Sequence, residues 1–371
     1  MPLYLTEDQA MLRESARGFM AGEGNIAAQL RKYRDSGCKD GFGHALWRQF
    51  GEMGFTGILA DEADGGLGMG HVEAGIVLEE IGRNLTPSPF LTTAVAAVEA
   101  LRGTALRNRW LPGILAGDTV AALAVDEGRK HRPEAIAMRA ERSGNGFRLV
   151  GRKQFVVHGA SADFLIVAAR AEEGLTLFAV EKEARGLELE AVRLADSSVA
   201  ARIEFRDVEV DADAVIGEVG AGEAVLGRVL GAARAGAASE MVGVASGAMT
   251  MTVEHLKQRK QFGRAIGEFQ ALQHRSAHLY SELEIARAAT LKAQQLLDEG
   301  SAEAEAMVSV AKAKAGRVST LAVQEGVQMH GGIGMTDEYD IGLYMKRDRV
   351  LNELFGDPAY HADKLARLKG Y

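Results

Sequence analysis

Two segments in the carboxyl-terminal third of the chain carry residues that could bind an anionic ligand. The first, HLKQRKQFGRAIGEFQALQH at residues 255–274, places Arg259, Lys260 and Arg264 around Phe262. We expect one long helix to end at Phe262-Gly263 and another to start near Glu268. An arginine fork suits a diphosphate, and an aromatic face can lie against a purine or a ribose. The alternative is an exposed basic helix end stabilised by the helix dipole.

The second segment, QMHGGIGMTDEY at residues 328–339, is rich in glycine. Gly331, Gly332 and Gly334 would let backbone N–H groups approach an anion closely, ahead of a following helix. Taken alone, such a cluster is equally typical of a plain turn between helices. The two segments together, in this order, indicate anion binding much more strongly than either one.

Composition narrows the class of protein and its partners. The 371 residues are 47% hydrophobic and 25% charged, an ordinary globular balance. The net charge of −8 argues against nucleic acid, and the lack of about 18 consecutive apolar residues argues against a membrane span. The single cysteine, Cys38, and the absence of a secretory pattern at the start predict a cytoplasmic protein.

His274 and His278 have metal-ligand spacing without an evident third ligand, so no metal site is expected.

The elements that position these segments fall into three predicted blocks, α, then β, then α. Residues 1–118 show helical periodicity, with a capping box at Thr6 and Gln9. Residues 119–216 contain short strands, and because no helical pattern separates them, an antiparallel barrel or sandwich is favoured over a parallel sheet. Residues 217–371 are predicted to form a four-helix bundle. The fold class is therefore α+β.

One predicted helix, over residues 223–258, is rich in glycine. It contains Gly227, Gly243 and Gly247 among others, and each glycine weakens a helix by about 1 kcal/mol relative to alanine. We expect a packing reason, the close approach of a neighbouring helix or of a ligand.

The chain resembles the acyl-CoA dehydrogenase family. RKQFGRAIGEFQALQH is similar to the family's flavin-binding helix pair, and QMHGGIGMTDEY resembles its glycine-rich signature. The α–β–α order and the stretch GRKQFVVHGASADFLIVAAR match too, so the resemblance covers essentially the whole chain. The ending LFGDPAYHADKLARL looks most like the small subunits of pimeloyl-CoA dehydrogenase and related subunits that pair with a larger paralogue.

This resemblance implies a flavoprotein oxidoreductase of fatty acid metabolism. It implies FAD as cofactor, an acyl-CoA as substrate and an electron-transfer flavoprotein as electron acceptor. The residues it assigns to the adenosine diphosphate half of an FAD bound mainly by the adjacent subunit are Arg259, Phe262, Gln270, Gln328, Gly331 and Gly332. An oligomer follows, either a homodimer or homotetramer, or a heterotetramer with a larger paralogue.

The catalytic base of the family is missing at both of its usual positions. Typical members hold a glutamate directly before the Gly-Thr of the last helix, and here Phe355 stands in that place. Other members place the base before an arginine that matches Arg234, and here that residue is Ala233. Glu240 is the remaining candidate, because a carboxylate on an apolar helix suits a general base. Its alternative role is a buried or interfacial glutamate paired with an arginine or a helix end.

The middle block also departs from the family. Where members carry hydroxyl residues in a loop near flavin and substrate, this chain has VDEGR at residues 125–129, of which only Glu127 matches. The flavin-facing Trp-Ile-Thr is replaced by residues 155–157. Phe155 could pack against the flavin ring, but Val157 cannot donate a hydrogen bond. Ordinary strand packing is the alternative for both.

Two functions stay open. The chain is either an FAD-dependent acyl-CoA dehydrogenase that uses Glu240 as base, or a non-catalytic subunit that completes the FAD site of a larger paralogue.

Overall fold

The computed structural model describes residues 3–371, which cluster into two compact units. The first unit comprises residues 3–31, His71–Thr86 and Arg234–Tyr371, and the second comprises Lys32–Gly70 and Pro87–Ala233. The helices are α1 (Glu7–Gly22), α2 (Lys32–Asp35), α3 (His44–Glu52), α4 (His71–Asn84), α5 (Val98–Leu101), α6 (Arg107–Leu115), α7 (Gly222–Gln258), α8 (Gln270–Asp298), α9 (Ala304–His330), α10 (Ile341–Glu353) and α11 (Pro358–Leu368). The strands are β1 (Ala121–Ala124), β2 (Arg139–Ser143), β3 (Gly146–Val157), β4 (Phe164–Ala171), β5 (Gly174–Glu181), β6 (Leu187–Arg193), β7 (Val199–Val210), β8 (Val215–Ile216), β9 (Lys260–Gln261) and β10 (Arg264–Ala265).

The first unit is predominantly helical. The predicted capping box at the start of α1 is confirmed: the Gln9 amide donates to Thr6 Oγ1 and the Thr6 amide donates to Gln9 Oε1. Helix α1 packs on α4, α4 on α8, and α8 on α9, which also contacts α10 and α11. The sequence did not predict that α1 and α4 would join the carboxyl-terminal helices in one compact unit.

Glycines let α4 and α7 cross with their backbones in contact. A Cβ added at Gly243 of α7 would lie 2.0 Å from the carbonyl oxygen of Glu79 in α4. Conversely, a Cβ at Gly82 would lie 2.1 Å from the carbonyl oxygen of Glu240. The packing reason expected for a glycine-rich helix is therefore the close approach of α4.

The second unit is built on one sheet with the strand order β6-β7-β3-β2-β4-β5-β8, in which β1 pairs with β4. Most pairings are antiparallel, as predicted, but β1 and β2 both run parallel to β4. The sequence did not predict these parallel pairs. Parallel neighbours need a long connection, and the hairpin of β2 and β3 supplies it between β1 and β4 in place of a helix.

Strand β1 is held at its start by a side chain from a buried π-helical segment, Leu91–Ala97. Thr93 Oγ1 accepts from the Ala121 amide and donates to the Ala121 carbonyl, both at 3.0 Å. This fixes the strand whose far end leads into residues 125–127.

The glycine crossing generates a stability prediction. We expect Gly243→Ala to lower the free energy of unfolding by about 1–3 kcal/mol, because the added methyl group forces two helix backbones apart. Gly227→Ala is the matched control on the same helix, since nothing lies within 4 Å of a Cβ there. It should raise stability by up to about 1 kcal/mol through helix propensity. Thermal unfolding of both variants measures the difference, and a Gly243→Ala protein as stable as the wild type would contradict the close-packed crossing.

Candidate functional site

The Arg259–Gln270 segment contains a tight β-hairpin where the sequence predicted only a helix end. Helix α7 stops at Gln258, and β9 pairs antiparallel with β10. At the turn, Phe262 and Gly263 have φ angles of 52° and 79°. Left-handed backbone is costly for a bulky residue, yet the Phe262 side chain is 91% exposed. Its ring makes an edge contact with Phe269 at 6.1 Å, so the hairpin presents a strained aromatic tip to the outside of the unit.

Three cations surround this tip without carboxylate partners. Arg259, Lys260 and Arg264 are exposed, and within residues 3–371 none of them forms an ion pair. Arg264 lies over the ring of Phe269, with its guanidinium carbon 4.0 Å from the ring centre. Uncompensated guanidinium and ammonium groups on one hairpin attract an anion such as a diphosphate.

The Gln328–Gly334 segment ends α9 and leaves two of its three glycines open. Gly331 adopts a φ of 67° and donates its amide to the carbonyl of Gln328. Gly331 and Gly332 are exposed, and nothing lies within 4 Å of a Cβ built on either, so their backbone has room for a close ligand. Gly334 differs from the prediction: it is buried, and a Cβ built on it would lie 2.8 Å from the Val327 carbonyl oxygen, because it packs against the end of α9. The side chains of Gln270 and Gln328 are exposed as well.

Two histidines bring the hairpin and the glycine segment together, and sequence reasoning missed them. His255, one turn before Arg259, stacks on His330, which directly precedes Gly331, with ring centres 4.3 Å apart. The ring of Tyr339 lies 4.9 Å from that of His330. The signal that could have identified them is their position, since each histidine lies next to one of the two segments predicted to bind an anion. Open glycines, free cations and an exposed ring on one surface fit the diphosphate and aromatic parts of a dinucleotide.

A second constellation in the same unit joins Arg234 to Phe355, two residues assigned by resemblance. Arg234 is buried on α7 and donates from Nε to the carbonyl of Phe355 at 3.1 Å and from Nη2 to Tyr360 Oη at 3.1 Å. His361 Nε2 lies 3.1 Å from the same Phe355 carbonyl. Phe355 itself has a φ of 60° and is buried. The turn at Phe355 is therefore held through its backbone carbonyl by two side chains, and its own side chain cannot take a proton.

A fully buried lysine braces this turn from its other side. Lys312 Nζ donates to the carbonyls of Leu351 at 3.0 Å and Gly356 at 2.9 Å. Burial, and then the nearby charge of Arg234, lowers the pKa of Lys312 to about 7. Two cationic side chains thus hold the backbone around Phe355.

Glu240 forms an ion pair with Arg347, which matches the second role considered for it above, a buried glutamate paired with an arginine. The side chain is 2% exposed, and Arg347 of α10 donates to its Oε1 from Nε at 2.7 Å and from Nη2 at 2.5 Å. The guanidinium of Arg347 thus makes two charge-assisted hydrogen bonds to one carboxylate oxygen of Glu240, and this oxygen is engaged in an ion pair.

The residues of the middle block meet within the second unit. Buried Lys153 on β3 donates to Glu127 Oε1 at 2.8 Å and to the Val125 carbonyl at 3.0 Å. Burial alone would raise the pKa of Glu127, but the bond and charge of Lys153 hold it below its usual value. Farther along β3, Phe155 has a φ of 53° at a register shift, while Val157 is buried. Lys153 therefore ties strand β3 to the 125–127 loop inside the unit.

The chain matches known proteins over most of its length. Residues 6–118 match the model of the acyl-CoA dehydrogenase N-terminal domain, and residues 220–368 match that of the acyl-CoA dehydrogenase C-terminal domain. Acyl-CoA dehydrogenase FadE12 of Mycobacterium tuberculosis is 31% identical, covering 93% of this chain and 91% of FadE12.

Two solved structures share the fold closely. The Tcur3481-Tcur3483 steroid ACAD, in a variant form, is 30% identical with a TM-score of 0.90 over 98% of both chains. The ChsE4-ChsE5 complex from Mycobacterium tuberculosis contains a chain that is 25% identical, with a TM-score of 0.90 over 100% of both chains.

This chain belongs to the acyl-CoA dehydrogenase family, flavoprotein oxidoreductases that typically bind FAD. The predicted α+β fold, with its N-terminal helices, middle sheet and C-terminal helices, is confirmed. Across residues 3–371 no helix is both long and apolar enough to cross a membrane. Within the same range, no group of three or more His, Cys, Asp or Glu side chains is placed to hold a metal ion.

The Glu240–Arg347 pair yields a prediction. We expect Glu240→Gln to lower the free energy of unfolding by about 3 kcal/mol, because it removes the buried carboxylate charge that pairs with Arg347, a side chain only 18% exposed. Glu254→Gln on the same helix is the control, since Glu254 pairs with Lys257 on the surface and its loss should cost under about 1 kcal/mol. Equal stability of the two variants in urea unfolding would show that the buried ion pair contributes nothing.

Proposed function

We propose that this chain serves the α,β-dehydrogenation of an acyl-CoA thioester as one subunit of a heteromeric acyl-CoA dehydrogenase. It completes an FAD site shared with the adjacent, larger subunit, which supplies the catalytic base. The observation that carries this proposal is the braced turn at Phe355, where the scaffold of the base is kept and the proton acceptor is not.

The distance along α7 supports a cofactor shared between subunits. Arg234 lies about a third of the way along the helix and Gln258 ends it, so at 1.5 Å per residue they are about 36 Å apart. One dinucleotide cannot contact both the Arg234–Phe355 turn and the Arg259 hairpin of the same chain. The hairpin and the glycine segment are therefore suited to a flavin held mainly by a neighbouring subunit.

The residues assigned to the dinucleotide would act by binding and orienting. Arg259 and its neighbouring cations would neutralise the diphosphate, Phe262 would lie against the adenosine half, and Gly331 and Gly332 would close over it. Gln270 and Gln328 are exposed beside these groups and would complete the contacts by hydrogen bonding. FAD, when bound, supplies hydride acceptance in this family. Electrons would pass on to an electron-transfer flavoprotein.

Three positions argue that the base comes from elsewhere. Phe355 and Ala233 have no titratable group, and Glu240 is occupied by Arg347. For Glu240 to act as a base, its carboxylate would have to give up two charge-assisted hydrogen bonds from Arg347. Arg234 and Lys312 have positioning roles, since Arg234 donates to the Phe355 carbonyl and to Tyr360 Oη and Lys312 donates to two backbone carbonyls.

Two further observations favour a heteromer with a larger paralogue. The carboxyl-terminal sequence resembles the small subunits of pimeloyl-CoA dehydrogenase and its relatives. In addition, both structures compared above carry paired names, Tcur3481-Tcur3483 and ChsE4-ChsE5.

The decisive test is the purified chain, expressed alone and together with a larger acyl-CoA dehydrogenase paralogue from the same genome. Alone, it should be colourless. Co-expressed, it should co-purify with the paralogue, show flavin absorbance and bleach when an acyl-CoA is added. A yellow chain that bleaches by itself would overturn the proposal and restore Glu240 as the base.

The hairpin contributes a sharper prediction within that assembly. We expect Arg259→Ala to weaken FAD retention at least tenfold, because a charge-assisted hydrogen bond contributes about 1.5–3 kcal/mol. Lys257→Ala is the matched control: it also removes one exposed positive charge, two residues away, but one that pairs with Glu254. Flavin released on gel filtration measures retention. If both variants lose flavin equally, net charge alone would account for binding and the assigned contact would be wrong.

A further inference from the structure

Three aromatic rings form the joint between the hairpin and the glycine segment. His255 belongs to the last turn of α7, and its carbonyl accepts the amide of Arg259 at 2.9 Å. His330 is the last residue of α9 and leads directly into Gly331. Their rings stack at 4.3 Å with an interplanar angle of 31°, and Tyr339 packs on His330 at 4.9 Å. A change in this stack therefore moves both ligand-binding segments.

The hydrogen bonds of His330 assign its proton. Nδ1 lies 2.7 Å from the carbonyl of Gly326, which can only accept, so Nδ1 carries the hydrogen. His330 is 6% exposed, and its Nε2 is buried without a hydrogen-bond partner among residues 3–371. A second proton would have to reside on that atom, with no acceptor for its N–H bond.

The charges around the stack oppose protonation as well. Burial lowers the pKa of His330. Burial, and then the charges of His330 and Arg259, lower the pKa of His255. Among residues 3–371, the titratable and charged groups in ring contact with the pair or acting on its pKa are these two histidines, Arg259 and Tyr339, and none of them is a carboxylate. The surroundings of the stack therefore favour the neutral form of both imidazoles.

We propose that His255 and His330 are positioning residues that hold the hairpin and the glycine segment in one arrangement only while both imidazoles are neutral. The identity of the ligand, FAD, rests on the function proposed above, while the coupling of the two segments does not. Tyr339 backs the stack and limits the directions in which His330 can move.

The sign of the pH dependence follows from linkage. A histidine whose pKa is lowered in the stack binds fewer protons there than when the two rings are separated, where its pKa is about 6.5. The stacked arrangement is therefore most stable above pH 6.5. Its stability relative to the separated arrangement decreases as the pH falls below 6.5. At low pH, two like charges beside Arg259 would separate the segments.

The test compares the wild-type chain with the double variant His255→Phe, His330→Phe, which keeps two stacking rings and cannot be protonated. The first readout needs no flavin: hydrogen exchange of peptides covering residues 259–268 and 331–340, at pH 7.5 and 5.5, corrected for the intrinsic rates. We expect protection of both segments to fall about tenfold at pH 5.5 in the wild type and to stay constant in the double variant. His44→Gln, which removes an exposed histidine in the second unit, should behave as the wild type does.

The second readout is FAD retention in the co-expressed assembly over the same pH range. It should follow the exchange data, falling at least tenfold at pH 5.5 in the wild type and not in the double variant. Equal loss of protection in the wild type and the double variant, or none in either, would overturn the inference. A pH-dependent exchange that responds to the variants, in a protein that binds no FAD at any pH or with any partner, would instead reject the proposed function and leave the joint established.

Discussion

The backbone contact between α4 and α7 is the constraint on which the first unit depends. Because Gly82 and Gly243 have no Cβ, a long helix is held against its neighbour at main-chain distance. Three residues of this unit with a proposed or candidate functional role lie on α7, so the crossing fixes their positions. Arg234 lies on one part of it, Glu240 lies near the crossing, and His255 stands in its last turn. A slip of α7 by one residue would displace all three, and the glycines leave no space for such a slip.

Around Arg234 several buried side chains hold one turn of backbone in place. Arg234, Lys312 and His361 all direct polar nitrogens at the backbone carbonyls of residues 351–356. Burying a lysine is costly unless its ammonium group is hydrogen-bonded, and Lys312 finds its acceptors in this turn. In the proposed function this turn keeps the scaffold of a catalytic base while Phe355 cannot exchange a proton.

At the carboxyl-terminal end of α7, the surface combines a strained and exposed Phe262, cations without carboxylate partners among residues 3–371, and two open glycines. Left-handed backbone at a bulky residue is costly, and an exposed aromatic side chain forgoes the stabilisation that burial would give. In the proposed assembly FAD and the adjacent subunit would cover this surface, and its separation from the Phe355 turn supports a cofactor shared between subunits.

Much of this could be predicted from residue types and spacing. Helical and strand periodicity determine the α–β–α order, and the Thr6 capping box forms as its sequence predicts, because these signals are local. The positions of Phe355 and Ala233 likewise depend only on the identity of side chains. The parallel pairing of β1 with β4 and the stack of His255 on His330 were not predictable, because each joins segments distant in the chain. The hairpin at Phe262 is local, but its two-residue strands carry no strand periodicity and its turn places a bulky phenylalanine in left-handed backbone, so the sequence predicted only a helix end. Glu240 shows the difference most clearly: its sequence surroundings are apolar and suit a base, but Arg347, brought from α10 by the packing of helices, decides that its carboxylate is an ion-pair partner.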